Sequence, residues 1–199
     1  MVTMINTGHS KILRLFYEDK KSSFHLREIA RKTKLYPNSV TRFLNQLEKE
    51  DILTSQKDGN LKNYKIKKSE KLSNIFASFD IERLNKLPLA RRRAINYFLD
   101  KLKEKPIIAL LFGSTAKETF RKDSDIDLLL IVNRKIDVDT AKDYVDAQLG
   151  IKVNCFQITY EEFKKEIKLK EDKVIQSALN TGYPILNQIL FYEAYLNGD

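Results

Sequence analysis

The chain has 199 residues, 42% of them hydrophobic, with 36 lysines and arginines against 27 aspartates and glutamates, for a net charge of +9 at pH 7. At roughly 100 to 200 residues per domain, that is one ordinary domain or two small ones with enough apolar side chains for a core, which excludes a disordered chain. No apolar run approaches the roughly 20 residues of a membrane span, and the first ten residues lack the basic-then-apolar pattern of a signal peptide, so a cytoplasmic protein is expected.

The positive charge is concentrated at one end. Residues 1–70 hold 15 lysines and arginines against 8 acids, a net +7, whereas residues 71–199 hold 21 against 19, a net +2. Such asymmetry suits a nucleic-acid-binding module joined to a module of another kind, and a solvated lysine-rich surface produces it as well.

The first predicted helix covers about Ser10 to Glu18, carrying Ile12, Leu13, Leu15 and Phe16. A second, His25 to Arg31, places Leu26, Ile29 and Ala30 on one face, and a break at Lys34–Tyr36 leads to Pro37, a residue favoured in a first helical turn. In the third helix Val40, Phe43, Leu44 and Leu47 repeat at helical spacing and leave Asn38, Ser39, Thr41, Arg42, Asn45 and Gln46 on other faces. Ile52–Lys57 and Leu61–Lys67 then read as a hairpin across Asp58-Gly59-Asn60.

This order, over about residues 8–68, resembles the winged helix-turn-helix family. The resemblance implies that Asn38, Ser39, Thr41 and Arg42 lie at the major groove and that Lys57, Lys62 and Lys65 on the hairpin reach phosphate. Winged helices also serve as dimerisation or protein-interaction modules, so DNA is the favoured partner and a homodimer an open one.

Residues 69–105 are expected to be helical, with a break at Pro88. Arg91, Arg92 and Arg93 fan around the helix and are expected to be solvated.

Pro106–Phe112 has the length of a buried strand and stops at Gly113-Ser114; between it and a second strand, Ile126–Val132, lie Thr115–Ser124, ten residues rich in Lys, Arg, Glu and Thr. Asp125 and Asp127 flank Ile126, and strand alternation points both to one side, about 6 to 7 Å apart. Two carboxylates so placed suit a hard divalent cation such as Mg2+. With a single cysteine, Cys155, and only His9 and His25, a Cys/His zinc site is excluded, and any metal must be held by oxygen. The glycine lets backbone amides approach phosphate, and Ser114 adds a hydroxyl donor.

Gly113-Ser114, ten residues, then Asp125-Ile-Asp127 resembles the minimal branch of the polymerase-beta-like nucleotidyltransferase superfamily. The resemblance runs from about Lys105 to the end of the chain. It implies a small mixed sheet with a helix at Asp139–Leu149, a strand at Ile151–Thr159, a helical segment at Glu161–Leu179, a strand at Tyr183–Leu186 and a last helix at Ile189–Leu196. It further implies that Asp125 and Asp127 are catalytic and bind two Mg2+ ions, that Gly113, Ser114 and Ser124 bind the nucleoside triphosphate, and that a nucleoside monophosphate passes to a hydroxyl as pyrophosphate leaves. One departure stands out: the strand that supplies a third carboxylate in the family has Asn154 at the matching position, and Asp146, Glu161 and Glu162 are the candidate substitutes. An amide brings no negative charge and is no general base.

The expected fold class is therefore α+β, with a winged helix-turn-helix at 1–70, a helical connector at 71–104 and a small mixed α/β nucleotidyltransferase-like domain at 105–199. Three functions fit: a Mg2+-dependent, ATP- or other NTP-binding transferase acting on a protein or nucleic acid; a DNA-binding regulator whose degenerate transferase domain senses nucleotide or dimerises; and, below these, a nucleic-acid end-modifying polymerase.

Overall fold

The computed structural model describes residues 7–197, which fall into two compact units, one ending at Leu72 and the other starting at Ser73. In the first, α1 (Thr7–Glu18), α2 (Leu26–Thr33) and α3 (Pro37–Lys49) pack around Ile12, Leu13, Phe16, Ile29, Val40, Leu44 and Leu47, the positions that helical period assigns to the core. The helix α2 starts at His25, whose Nδ1 accepts from the Glu28 amide at 3.2 Å, and ends at Lys34 in the left-handed region. Pro37 opens α3 as expected.

The hairpin is β2 (Leu53–Asp58) and β3 (Leu61–Ile66). Asp58 pairs with Leu61, so the turn holds two residues, Gly59 and Asn60, and Asp58 is the last strand residue. Gly59 takes φ +57° there, which a side chain resists. A further strand, β1 (Phe24–His25), pairs with β3 and gives the order β1-β3-β2. Two residues are too few to carry a periodic signal, so it does not show in the sequence. Three helices followed by a short antiparallel wing make this unit a winged helix-turn-helix.

Helix α4 (Glu70–Lys86) leads into the second unit, and α5 (Leu89–Lys101) follows Pro88. The latter does more than connect: Ala94, Ile95, Phe98 and Leu102 are buried in one cluster with Ala109 and Leu111 of β4 (Ile108–Phe112) and Leu128, Leu130 and Val132 of β5 (Ile126–Val132). Helix α7 (Asp139–Leu149) closes the same face with Ala141 and Val145 and carries the chain to β6 (Val153–Thr159), which lies parallel to β5. On the other side of β4 runs β7 (Tyr183–Leu186), antiparallel, so the sheet is mixed, in the order β6-β5-β4-β7.

The helices α8 (Tyr160–Leu169), α9 (Lys173–Thr181) and α10 (Gln188–Asn197) lie against the remaining face. Where one helical segment was expected over 161–179 there are two. Lys170 turns left-handed at φ 58°, and Asp172 Oδ1 then caps α9 by accepting from the amides of Val174 and Ile175 at 2.8 and 3.0 Å. Both faces of β4 are covered, which is why it reads as an unbroken apolar run.

Candidate active site

Sheet register assembles the polar cluster. Antiparallel pairing sets Phe112 beside Asp127, and parallel pairing sets Asp127 beside Asn154, so the end of β4 and the starts of β5 and β6 meet at one end of the sheet. Asn154 Nδ2 donates to Asp125 Oδ2 at 3.1 Å and to Asp127 Oδ1 at 3.2 Å. The two carboxylates therefore converge on one point, and the amide occupies the position at which the family resemblance leads one to expect a third acid.

Gly113 opens α6 (Gly113–Ala116) at φ +68°, and a Cβ built on it would stand 2.1 Å from Asp127 Oδ2. The glycine is required twice, by its backbone conformation and by the nearness of the carboxylate. Ser114 is half-buried in the first turn of α6, with its carbonyl accepting from the Thr119 amide at 3.0 Å. Ser124 is engaged within the loop, its Oγ accepting from the Arg121 amide at 2.8 Å.

Of the three consecutive arginines, Arg93 is exposed and Arg92 half-buried, but Arg91 is 4% exposed, which corrects the expectation that all three are solvated. Its Nη1 donates to Thr115 Oγ1 at 2.8 Å and Asp125 O at 3.4 Å, and its Nη2 to Arg121 O at 2.9 Å and Ser124 O at 2.8 Å. The guanidinium also lies 4.1 Å from the Phe120 ring centroid. Burial holds the Arg91 pKa below its ordinary value, offset in part by the Asp125 charge. On α4, Arg83 donates to Ala116 O at 2.9 Å and stacks 4.0 Å over the Tyr183 ring. Helical period alone marks these arginines as surface, because their partners lie more than twenty residues away in sequence.

None of the candidate substitutes for the third carboxylate joins Asp125 and Asp127. Glu162 accepts from the Thr159 amide and hydroxyl at 2.7 and 2.8 Å in a capping box, Glu161 pairs with Lys164 at 2.7 Å, and Asp146 is exposed on α7. Among the described residues, no group of three His, Cys, Asp or Glu side chains could hold a metal, so the oxygen donors here are two carboxylates and an amide. Cys155 alternates to the opposite face of β6, where burial pushes its thiol up to about 12. It lines an open cleft of about 510 Å³ with Lys135, Asp137, Asp139, Lys142 and Gln157, a lining that includes neither Asp125 nor Asp127.

In the winged helix, Asn38, Thr41 and Arg42 are exposed on α3 and Ser39 is half-buried. Thr41 Oγ1 donates back to Pro37 O at 3.0 Å, and Arg42 lies 5.1 Å from the Phe43 ring centroid. Lys62 lies on the same face of the hairpin as buried Tyr64 and pairs with Glu48 of α3 at 2.8 Å; this hydrogen bond holds its ammonium pKa above the ordinary value. Lys65 and Asn63 point to the opposite face. Tyr36, at the N-cap of α3, is 84% exposed and escaped the reading of α3, because a cap stands outside the helical period.

Residues 93–188 match the family described as "Polymerase beta, Nucleotidyltransferase". No curated protein matches the chain. Among solved structures, the chain is similar to a homodimeric winged helix-turn-helix DNA-binding domain from Mycobacterium bovis, at 19% identity and TM-score 0.35 over 43% of this chain and 75% of that one. It is also similar to MepR, a transcription regulator of the Staphylococcus aureus multidrug efflux pump MepA, at 18% identity and TM-score 0.35 over 49% and 77%. A toxin-antitoxin structure with AMP-PNP is similar at 17% identity and TM-score 0.35, over 53% and 82%. Likenesses this loose carry no argument about function, and the winged helix rests on the element order and pairing of the chain itself.

Proposed function

We propose that the protein, whose residues 93–188 match the polymerase-beta nucleotidyltransferase family, transfers a nucleoside monophosphate from a nucleoside triphosphate to a hydroxyl of a protein or nucleic acid in the cytoplasm, with its winged helix bound to DNA. The observation that carries this reading is the convergence of Asp125 and Asp127 on Asn154 Nδ2, with Asp127 close against Gly113. A partly positive N–H group already lies between the two carboxylates, which is where a cation fits.

Asp125 and Asp127 would hold Mg2+, and turning the Asn154 amide over would present its carbonyl oxygen to the same point. When bound, the ion supplies charge neutralisation to the triphosphate and to the leaving pyrophosphate. Gly113 and Ser114 contribute close backbone approach and a hydroxyl donor to the phosphates, while Ser124 shapes the loop that ends at Asp125. The attacking hydroxyl forms its bond to the alpha phosphorus as the bond to pyrophosphate breaks, and its proton passes to solvent water, since the cluster provides no third carboxylate to take it.

A second reading is favoured by Asn154 itself. A neutral amide that ties both aspartates together suits a domain that binds nucleotide without turnover, leaving a DNA-binding regulator that senses nucleotide or dimerises through this domain. One experiment separates the two: purified protein with alpha-labelled ATP, GTP, CTP or UTP and Mg2+, alone and with cell extract, beside an Asp125→Ala/Asp127→Ala double variant. Label transferred by the wild type only supports the transferase and reveals whether the acceptor is protein or nucleic acid. Nucleotide binding without transfer supports the sensor, and neither binding nor transfer overturns both.

A further inference from the structure

Arg91 lies two residues ahead of the matched family segment and belongs to α5, yet its guanidinium hydrogen bonds go to the segment 115–125, the last turn of α6 and the loop after it, which joins the two halves of the site. It reaches Thr115 at the start of that segment and Arg121, Ser124 and Asp125 at its end. Those groups are three backbone carbonyls and one hydroxyl, brought within reach of a single planar fork. Beyond Ala116, where α6 ends, this segment has no helix or strand until β5; its backbone bonds, from Lys117 to Gly113, Glu118 to Thr115, Thr119 to Ser114 and Ser124 to Arg121, do not join its two ends, and Thr115 Oγ1 reaches Asp125 O directly only at 3.4 Å, so the shorter bonds that span the segment run through Arg91. Packing of Phe120 on the guanidinium adds a third attachment.

We propose that Arg91 is a positioning residue for the active site, clamping the start of the loop at Thr115 to its end at Asp125 so that Gly113, Ser114 and the two aspartates keep a fixed spacing. This rests on the nucleotide-site reading given above only for its effect on ligand binding; the clamp itself is a property of the fold. The physical case is a matter of desolvation. A buried guanidinium is costly unless its donors are satisfied, and here four neutral or partly negative oxygens satisfy it, so the loop and the arginine each hold the other in place. The buried positive charge also lies behind the loop on which the triphosphate charge would rest. Lysine keeps the charge but lacks the planar fork, so Arg91→Lys separates charge from geometry, and Arg91→Gln removes the charge while keeping a polar side chain.

The test uses the full chain as wild type, Arg91→Lys and Arg91→Gln. Amide hydrogen exchange is followed in peptides over 114–125 and over the strands 108–112 and 126–132, and binding of ATP with Mg2+ is titrated calorimetrically. Expected is faster exchange by about tenfold or more in 114–125 in both variants with the strands unchanged, and nucleotide affinity lower by about tenfold to a hundredfold, the usual effect of losing a group that orients ligand-binding residues. Unchanged exchange in 114–125, or a uniform rise across the whole domain, overturns the clamp. Should the wild type bind no nucleotide while the variants still loosen 114–125 selectively, the nucleotide-site reading fails and the clamp stands. Wild-type affinity in both variants, despite a loosened loop, overturns the positioning role.

Discussion

Replacing Asn154 with aspartate creates the three-acid set that the family resemblance implies and tests whether the amide is what quiets the electrostatics of the site. In the wild type its Nδ2 donates to two carboxylates at 3.1 and 3.2 Å. Asn154→Asp converts each of those attractions into a like-charge contact. Two unit charges about 3.1 Å apart in water repel by about 1.3 kcal/mol, and the screening of water is the appropriate limit because residue 154 is exposed. Two such contacts, partly relieved by side-chain rotation, plus the lost hydrogen bonds, predict a destabilisation of about 2 kcal/mol at neutral pH without divalent ion. For a chain of this size, that is a fall in Tm of roughly 4 to 8 °C. The deficit should narrow on acidification, as protonation removes the repulsion. Added Mg2+ should restore stability: an ion bound with a dissociation constant of about 1 mM and present at about 10 mM contributes about 1.4 kcal/mol. The assay is thermal unfolding of both proteins with and without Mg2+, joined by alpha-labelled nucleotide transfer, where the variant should exceed the wild type. A variant as stable as the wild type in chelator, with no response to Mg2+, would refute the placement of Asn154 between the two aspartates.

Gly113→Ala combines a left-handed backbone position with a Cβ 2.1 Å from Asp127 Oδ2, so a loss of about 1 to 2 kcal/mol from the backbone alone is expected, together with displacement of the carboxylate and loss of nucleotide binding; denaturant unfolding and titration with ATP check it. In DNA binding, Arg42→Ala and Tyr36→Ala should each weaken affinity by roughly tenfold, whereas Lys65→Ala should lower the salt slope by about one unit and Lys62→Ala should change it little, because Glu48 already neutralises that lysine; affinity measured against salt concentration decides. His9 is buried against Phe43, and burial holds its pKa below the ordinary 6.5 despite the opposing effects of Glu50 and Gln46. With a lowered pKa the folded form takes up fewer protons than the unfolded one, so the contribution of His9 is complete above pH 6.5 and is lost as pH falls toward the folded pKa. Denaturant unfolding at pH 7.5 and 5.5 should show a larger fall for the wild type than for His9→Gln.

Much of this protein was legible in its sequence because the signals are local. Helical period marked Val40, Phe43, Leu44 and Leu47 as one buried face of α3, Pro37 marked where that helix begins, and unbroken apolar runs marked β4 and β5. The Gly-Ser and Asp-x-Asp pattern named the candidate site, and the family resemblance pointed to Asn154 on a later strand, which the parallel register sets directly beside Asp127. What only the tertiary structure decided depends on partners far along the chain. Arg91 reads as one of three surface arginines until α5 is laid against a loop more than twenty residues on, where four oxygens compensate its burial. Lys62 reads as a free wing lysine until the hairpin folds back and Glu48, fourteen residues earlier, captures it. Periodicity reports which face of an element is apolar; whether a charged side chain meets water, a carbonyl or an acid depends on which other element arrives there, and that is settled only when the chain packs.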